Sequence, residues 1–197
     1  HSPTTPDARV SNGEPLAAST GSSAETRERL LDAAESLFAE RGFEGTSMRA
    51  ITKAAGTSVS AANYHFGSKE KLLHETLRRA TAPANERRIE LREHYQAEAG
   101  EAPLPLERVI EAFLRPVMEW RSLEGVEGAR QISARLFSDP PELIQSIKVE
   151  IFGPMSRRFL DALELALPDH PPADVELAYQ FLIAIMVYVI SGQLESS

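Results

Sequence analysis

The sequence predicts an all-α chain, and three observations carry the expectation. Apolar residues recur at three- and four-residue intervals in each long segment, as one buried face of a helix requires. No run alternates apolar and polar residues as a half-buried strand would, and no internal repeat is present. Turn residues fall between the periodic runs, at Gly42, Gly56, Gly100 to Pro105, Asp139-Pro140-Pro141 and Pro168 to Pro172. At 197 residues and 42% hydrophobic content the chain can hold two modest helical units with a real core. The elements group into a tail over residues 1–21, a three-helix unit over 22–67 and a longer helical body over 68–197.

In order along the chain, the tail HSPTTPDARVSNGEPLAASTG is rich in Pro, Ser, Thr and Gly and reads as a flexible leader. It holds no apolar segment of the kind that directs secretion, so a soluble, cytoplasmic protein is expected. Arg9 is its one fixed cation for reaching into a minor groove. Ser22 and Glu25 have capping-box spacing, and Leu30, Leu31, Ala34, Leu37 and Phe38 form the apolar stripe of a first helix that Gly42 ends and Phe43 folds back on. Thr46 is placed to cap a second, short helix carrying Met48, Ile51 and Ala55, and Gly56 supplies a tight turn. Ser58 caps a third helix from Val59 to about His65, and Ser68 a fourth, which Pro83 bends or breaks before a polar continuation from Glu86 to Glu98. Leu104 to Trp120, Gly128 to Ser138, Pro141 to Leu167 and Ala173 to Gly192 read as four further helices.

Two short helices joined at Gly56 form an angled pair of the helix-turn-helix kind. In the third helix Ser60, Ala61 and Ala62 carry almost no bulk, so it can lie close to a major-groove floor. Ser60, Ala61 and Asn63 are therefore placed for base edges, Thr46, Arg49, Tyr64, His65 and Lys69 for phosphates, and the capping Ser58 is a further DNA-binding candidate; a cation in the first turn of the fourth helix opposes its dipole, which a nearby phosphate would explain. The competing reading is a helical hairpin whose small residues serve packing alone. The net charge of −8 argues against a nucleic-acid partner until its distribution is considered. Residues 24–80 hold nine Lys or Arg against eight Asp or Glu, and the remainder twelve against twenty-one, so the acid lies away from the motif. A head of net charge near zero binds phosphates weakly alone, and two copies on one duplex are expected.

From Glu25 to about Leu77 the chain resembles the N-terminal domain of the TetR family of transcriptional regulators. The residues that carry the resemblance are TRERLLDAAESLFAERGFEGTSMRAITKAAG, the third helix, and HFGSKEKLL. Many members have Leu-Tyr-His-Tyr-Phe before the Ser-Lys, where this chain has Ala62-Asn63-Tyr64-His65-Phe66, a variant similar to regulators of fatty-acid and related catabolic genes. The resemblance implies a ligand-responsive repressor that binds a palindromic operator as a homodimer and leaves it when a small apolar or amphipathic effector, such as a fatty acid or acyl thioester, occupies the body. It also implies a four-helix dimer interface, which a further C-terminal helix normally completes; the sequence stops at Ser197, so residues are missing or the interface is built differently.

The body offers both features. Pro116 and Gly153-Pro154 interrupt helical runs, and such kinks can open a cavity between packed helices. Phe113, Val117, Trp120, Phe137, Phe152, Phe159 and Phe181 form a set that lines an apolar pocket or is ordinary core, and Arg130 and Arg135 have the spacing of cations that could meet an anionic head. The run FLIAIMVYVI, residues 181–190, is apolar all round and too short by itself to span a bilayer, which needs about twenty residues. It is expected to pack on its own domain and on a second copy, through Ala178, Leu182, Ile185 and Val189. Catalysis finds little support. The chain has no cysteine, which removes disulfides, zinc fingers and a Cys nucleophile, and His1, His65, His74, His94 and His170 have no metal-ligand spacing. No cofactor or metal is expected. The alternatives are a helical protein-interaction module and, less favoured, a small-molecule enzyme.

Overall fold

A computed structural model describes residues 22–121, 126–135 and 141–190, and these form helices without a strand. Helix α1 (Ser23–Arg41) opens on the expected capping box: the Glu25 amide donates to Ser22 Oγ at 3.2 Å while the Ser22 amide donates to the Glu25 carboxylate at 2.7 Å. It stops at Gly42, whose φ of 70° lets its amide reach back to the Phe38 carbonyl, and Phe43 stacks on Phe38 with ring centroids 6.2 Å apart. Helices α2 (Met48–Ala54) and α3 (Val59–Phe66) follow, joined through Gly56 at φ 62°. The cap of α2 is Ser47 rather than Thr46: the Ser47 hydroxyl accepts from the Ala50 amide, and Thr46 is drawn inside.

Of the bend or break expected at Pro83, the break does not occur: helix α4 (Lys69–Ala99) runs without interruption through it. A proline removes one ladder bond, and burial on both sides of the site holds the helix together: Leu72, Leu73, Leu77 and Ala80 before it, and Ala84, Leu91 and Tyr95 after it, are all in the core. Helices α5 (Leu106–Arg121) and α6 (Glu127–Arg135) pack against α4. The single helix expected from Pro141 to Leu167 is three pieces, α7 (Pro141–Ile147), a π-helical turn (Lys148–Phe152) and α8 (Gly153–Ala166). Pro154 explains the change, since it has no amide for the Glu150 carbonyl and the ladder there is free to widen. Helix α9 (Pro172–Ile190) closes the described chain against α5, α6 and α8.

Two apolar clusters result. One fills the space between α1, α2, α3 and the first half of α4, and continues into the body through Val117, Trp120, Ala129, Ile132 and Ile147. The other joins the second half of α4 to α5, α8 and α9 around Phe113, Phe159 and Tyr179. The first cluster thus crosses residue 67, where the sequence divides the chain. Arg79 adds a polar tie between α4 and α1, reaching Asp32 at 2.8 Å, Glu35 at 3.0 Å and Glu28 at 3.2 Å. In the α1–α2 turn a Cβ on Gly45 would press on the backbone carbonyl of Arg41. Gly45→Ala should therefore destabilise the fold by about 1–3 kcal/mol, the usual cost of overpacking, read as a lower urea midpoint at unchanged slope.

Candidate nucleic-acid interface and ligand cavity

Helix α3 buries only Ala62 and Phe66, and this fixes which face it offers to the outside. Ser60, Asn63 and Tyr64, at three- and four-residue intervals, are exposed on the opposite side, with Tyr64 80% exposed. Ser58 is exposed; its oxygen accepts from the Ala61 amide at 3.1 Å, which leaves the hydroxyl proton free to donate outward. Ala61 and His65 are half-buried at the edges of this face, and the His65 ring lies edge-on to Tyr64 at 5.3 Å. Arg49 is exposed on α2. The residues of the expected set on α3 thus share one outward side, and Arg49 is exposed on the neighbouring helix.

Thr46 and Lys69 do not join them. Thr46 is 2% exposed, and its hydroxyl is directed at the Gly42 and Leu37 carbonyls, 2.8 and 3.1 Å away. A side chain so enclosed ties the turn after α1 and has no reach to a phosphate. The Lys69 ammonium donates to the Phe43 carbonyl at 2.9 Å and the Thr46 carbonyl at 3.0 Å and lies 3.9 Å from the centre of the Phe43 ring. Its awkward place at the start of α4 is explained by these carbonyls, not by a phosphate. What the sequence reading missed are three exposed cations: Arg29 beside the Gly56 turn, Lys53 one turn after Arg49, and Lys71 in the first turn of α4. Together with Arg49 they form no ion pair with another described residue, in contrast to Arg27, Arg78 and Arg79, which are taken up by carboxylates. The i, i+4 spacing of Arg49 and Lys53 was the available signal.

The body holds a cavity of about 390 Å³, within the range of small-ligand sites. Phe113, Val117, Trp120 and Phe152 line it, as the sequence suggests. Phe159 instead backs Phe113, edge-on at 5.1 Å, as core. Phe181 is 61% exposed on the far side of α9, because the buried face of that helix is set by Val175, Tyr179, Val189 and Ile190. Phe137 lies outside the described residues, as does the side chain of Arg135. Arg130 pairs with Glu127 on its own helix at 2.6 Å and is absent from the lining. The buried cation in the cavity wall is Arg88, which no reading of α5 or α6 could find. Its signal was a charge within the apolar stripe of α4, between Ala84 and Leu91.

Along α9 the exposed stripe runs through Leu177, Phe181, Ile185 and Tyr188, whereas Val189, expected to face a second copy, is buried in its own chain. By length and mean hydropathy, 19 residues at 1.7, this helix could cross a membrane; its packing on α5, α6 and α8 accounts for one side of it and leaves the stripe on the other.

Comparison with known proteins is consistent at both ends of the chain. Residues 30–76 match the family model of bacterial regulatory proteins of the tetR family, and residues 111–195 that of the tetracyclin repressor-like C-terminal domain. The transcriptional repressor KstR2 of Mycolicibacterium smegmatis is 28% identical over 167 residues, which span 81% of this chain and 75% of that protein. KstR2 of Rhodococcus jostii is 44% identical, but over 64 residues, 32% of this chain and 31% of that protein. Among solved structures, NalD of Pseudomonas aeruginosa, the secondary repressor of a multidrug efflux pump, superposes with a TM-score of 0.63 at 25% identity, covering 88% of this chain and 86% of NalD. The Lys69 clamp makes a prediction that needs no DNA. Lys69→Met should lower stability by about 1.5–3 kcal/mol, the worth of hydrogen bonds from a charged donor, whereas Lys53→Ala should leave the urea midpoint within about 0.5 kcal/mol of the parent.

Proposed function

The chain belongs to the TetR family of bacterial regulatory proteins, and from that premise we propose how its own residues act: as a homodimeric repressor whose α3 helices read operator DNA and whose cavity takes an apolar or amphipathic effector that releases it. As a DNA-binding regulator it works in the cytoplasm, and its relatives are regulators rather than enzymes. The observation that carries the proposal is the single helix α4. Its first turn clamps the head through Lys69, and further along Ala84, Asn85 and Arg88 form part of the cavity wall. An effector that binds better when α4 is displaced must weaken operator binding by the same coupling free energy.

On the DNA side, Arg29, Arg49, Lys53, Lys71, Tyr64 and His65 supply phosphate contacts, and Ser58, Ser60, Ala61 and Asn63 face base edges. Arg49→Ala and Lys53→Ala should each reduce the slope of log affinity against log salt by about one unit and weaken all duplexes alike. Asn63→Ala should change sequence preference by about 1–3 kcal/mol instead. Unchanged slope and preference, measured on an operator found by genomic footprinting, would remove these residues from the interface.

For the dimer, the stripe Leu177, Phe181, Ile185 and Tyr188 supports a seam between two α9 helices, shifted from the one read in the sequence. Replacing Leu177 and Phe181 together with Glu puts charge on side chains already open to solvent, so the fold should survive. Sedimentation is expected to show monomers with undiminished helical circular dichroism and lost operator binding. A helical double variant that stays dimeric would place the seam elsewhere.

A further inference from the structure

The cavity wall contains a buried cation without a buried anion. Arg88 is 4% exposed, and its guanidinium donates from Nε to the Phe113 carbonyl at 2.8 Å, from one Nη to Asn85 Oδ1 at 2.7 Å and from the other to the Met186 sulfur. It also lies over the Phe113 ring, 4.6 Å from its centre. All of these partners are neutral. Among the described residues no carboxylate stands within ion-pair distance of it, whereas Arg27, Arg79, Arg87 and Arg115 each have one. A guanidinium has five N–H groups. Three are engaged here, so one on each terminal nitrogen is left without a hydrogen bond among the described residues, and Arg88 is part of the cavity wall.

The other ionisable groups in the wall do not neutralise it. Tyr179 donates its hydroxyl to Ser156 at 3.0 Å, and burial holds its proton on more firmly than in water. Lys148 and Glu176 are exposed and of opposite sign, so water serves them both. Burial pushes Arg88 down to about 10, which still leaves it charged at neutral pH. Isolated buried charge is costly, and three neutral acceptors offset only part of that cost. Phe113, Val117, Trp120, Phe152 and Ile183 form an apolar part of the wall, and Thr81, Ser133, Gln145 and Gln180 add neutral polar groups that carry no charge to pair with it.

We propose that the effector is an amphipathic free carboxylic acid, its carboxylate paired with Arg88 and its apolar body against Val117, Trp120 and Phe152. The inference rests on the effector-cavity reading above and narrows it, since a thioester or ester of the same acid has no charge to offer. A phosphate head fits less well. It carries close to two negative charges at neutral pH, and one guanidinium would leave the excess buried. A carboxylate has acceptor sites for the remaining N–H groups, so the contact is a charge-assisted hydrogen bond as well as an ion pair.

The test compares matched pairs: dodecanoate against methyl dodecanoate, and 2-naphthoate against methyl 2-naphthoate, titrated into the full chain with Trp120 fluorescence and thermal shift as readouts. Wild type should bind each acid ~10-fold or more tightly than its ester. Arg88→Met should erase that preference while still binding the esters, and Arg88→Lys should keep part of it. Should Arg88→Met fail to fold, the wild-type comparison decides alone. Esters bound as well as acids would overturn the carboxylate assignment while leaving an effector cavity intact. A chain that binds none of the four probes would overturn it too, and operator release by other apolar compounds would then judge the broader reading separately.

Discussion

Helix α4 has to complete two cores with one set of side chains, and the remaining architecture depends on that requirement. Its first half, from Leu72 to Ala84, closes the head under α1, α2 and α3; its second half, at Leu91 and Tyr95, closes the body against α5, α8 and α9. Neither half could be released without opening apolar surface on the other side of Pro83. Continuity is therefore favoured over the local preference of proline, which is to end a helix. The polar ties reinforce this. Lys69 fastens the start of α4 to the turn after α1, and Arg79 draws three carboxylates of α1 onto its first half.

The same helix explains how head and body can communicate without a flexible joint. In the proposed mechanism α4, clamped to the head at one end and part of the cavity wall further along, acts as a rod that carries a small displacement beside Arg88 to Lys69. The head follows because Phe43 and Thr46, whose carbonyls Lys69 holds, belong to the turn that sets α2, and through Gly56 α3, against α1. A reading helix needs little movement to lose its register on DNA, since both copies must engage successive grooves at once.

Local chemistry made much of this legible in the sequence. The capping box at Ser22, the Gly42 and Gly56 turns and the Ser58 and Ser68 caps are decided by neighbours within four residues, and all five stand as expected. What failed was decided at a distance. Thr46 and Ser47 are equally good caps by residue type, and only the carbonyls of Leu37 and Gly42 draw Thr46 inward. Lys69 seemed to want a phosphate because its real partners are more than twenty residues away. The aromatic set in the body divided for the same reason. Periodicity marks Phe159 and Phe181 as apolar, but whether such a side chain meets a cavity, a core or solvent depends on how α8 and α9 are rotated about their axes.

That rotation has a mechanical origin in the widened turn from Lys148 to Phe152. A π-helical turn holds one residue more than the α-helical ladder would, and each residue turns an α-helix by about 100°. The turn thus acts as a phase shifter between α7, which anchors Leu143 and Ile147 in one cluster, and α8, which delivers Met155, Phe159 and Leu163 to the other. Substitutions within it leave the phase alone. Forcing the same residues into an unbroken α-helix would swing the whole apolar stripe of α8 aside by roughly a quarter of a turn. The wide turn absorbs the extra residue and so keeps α7 and α8 facing their separate clusters.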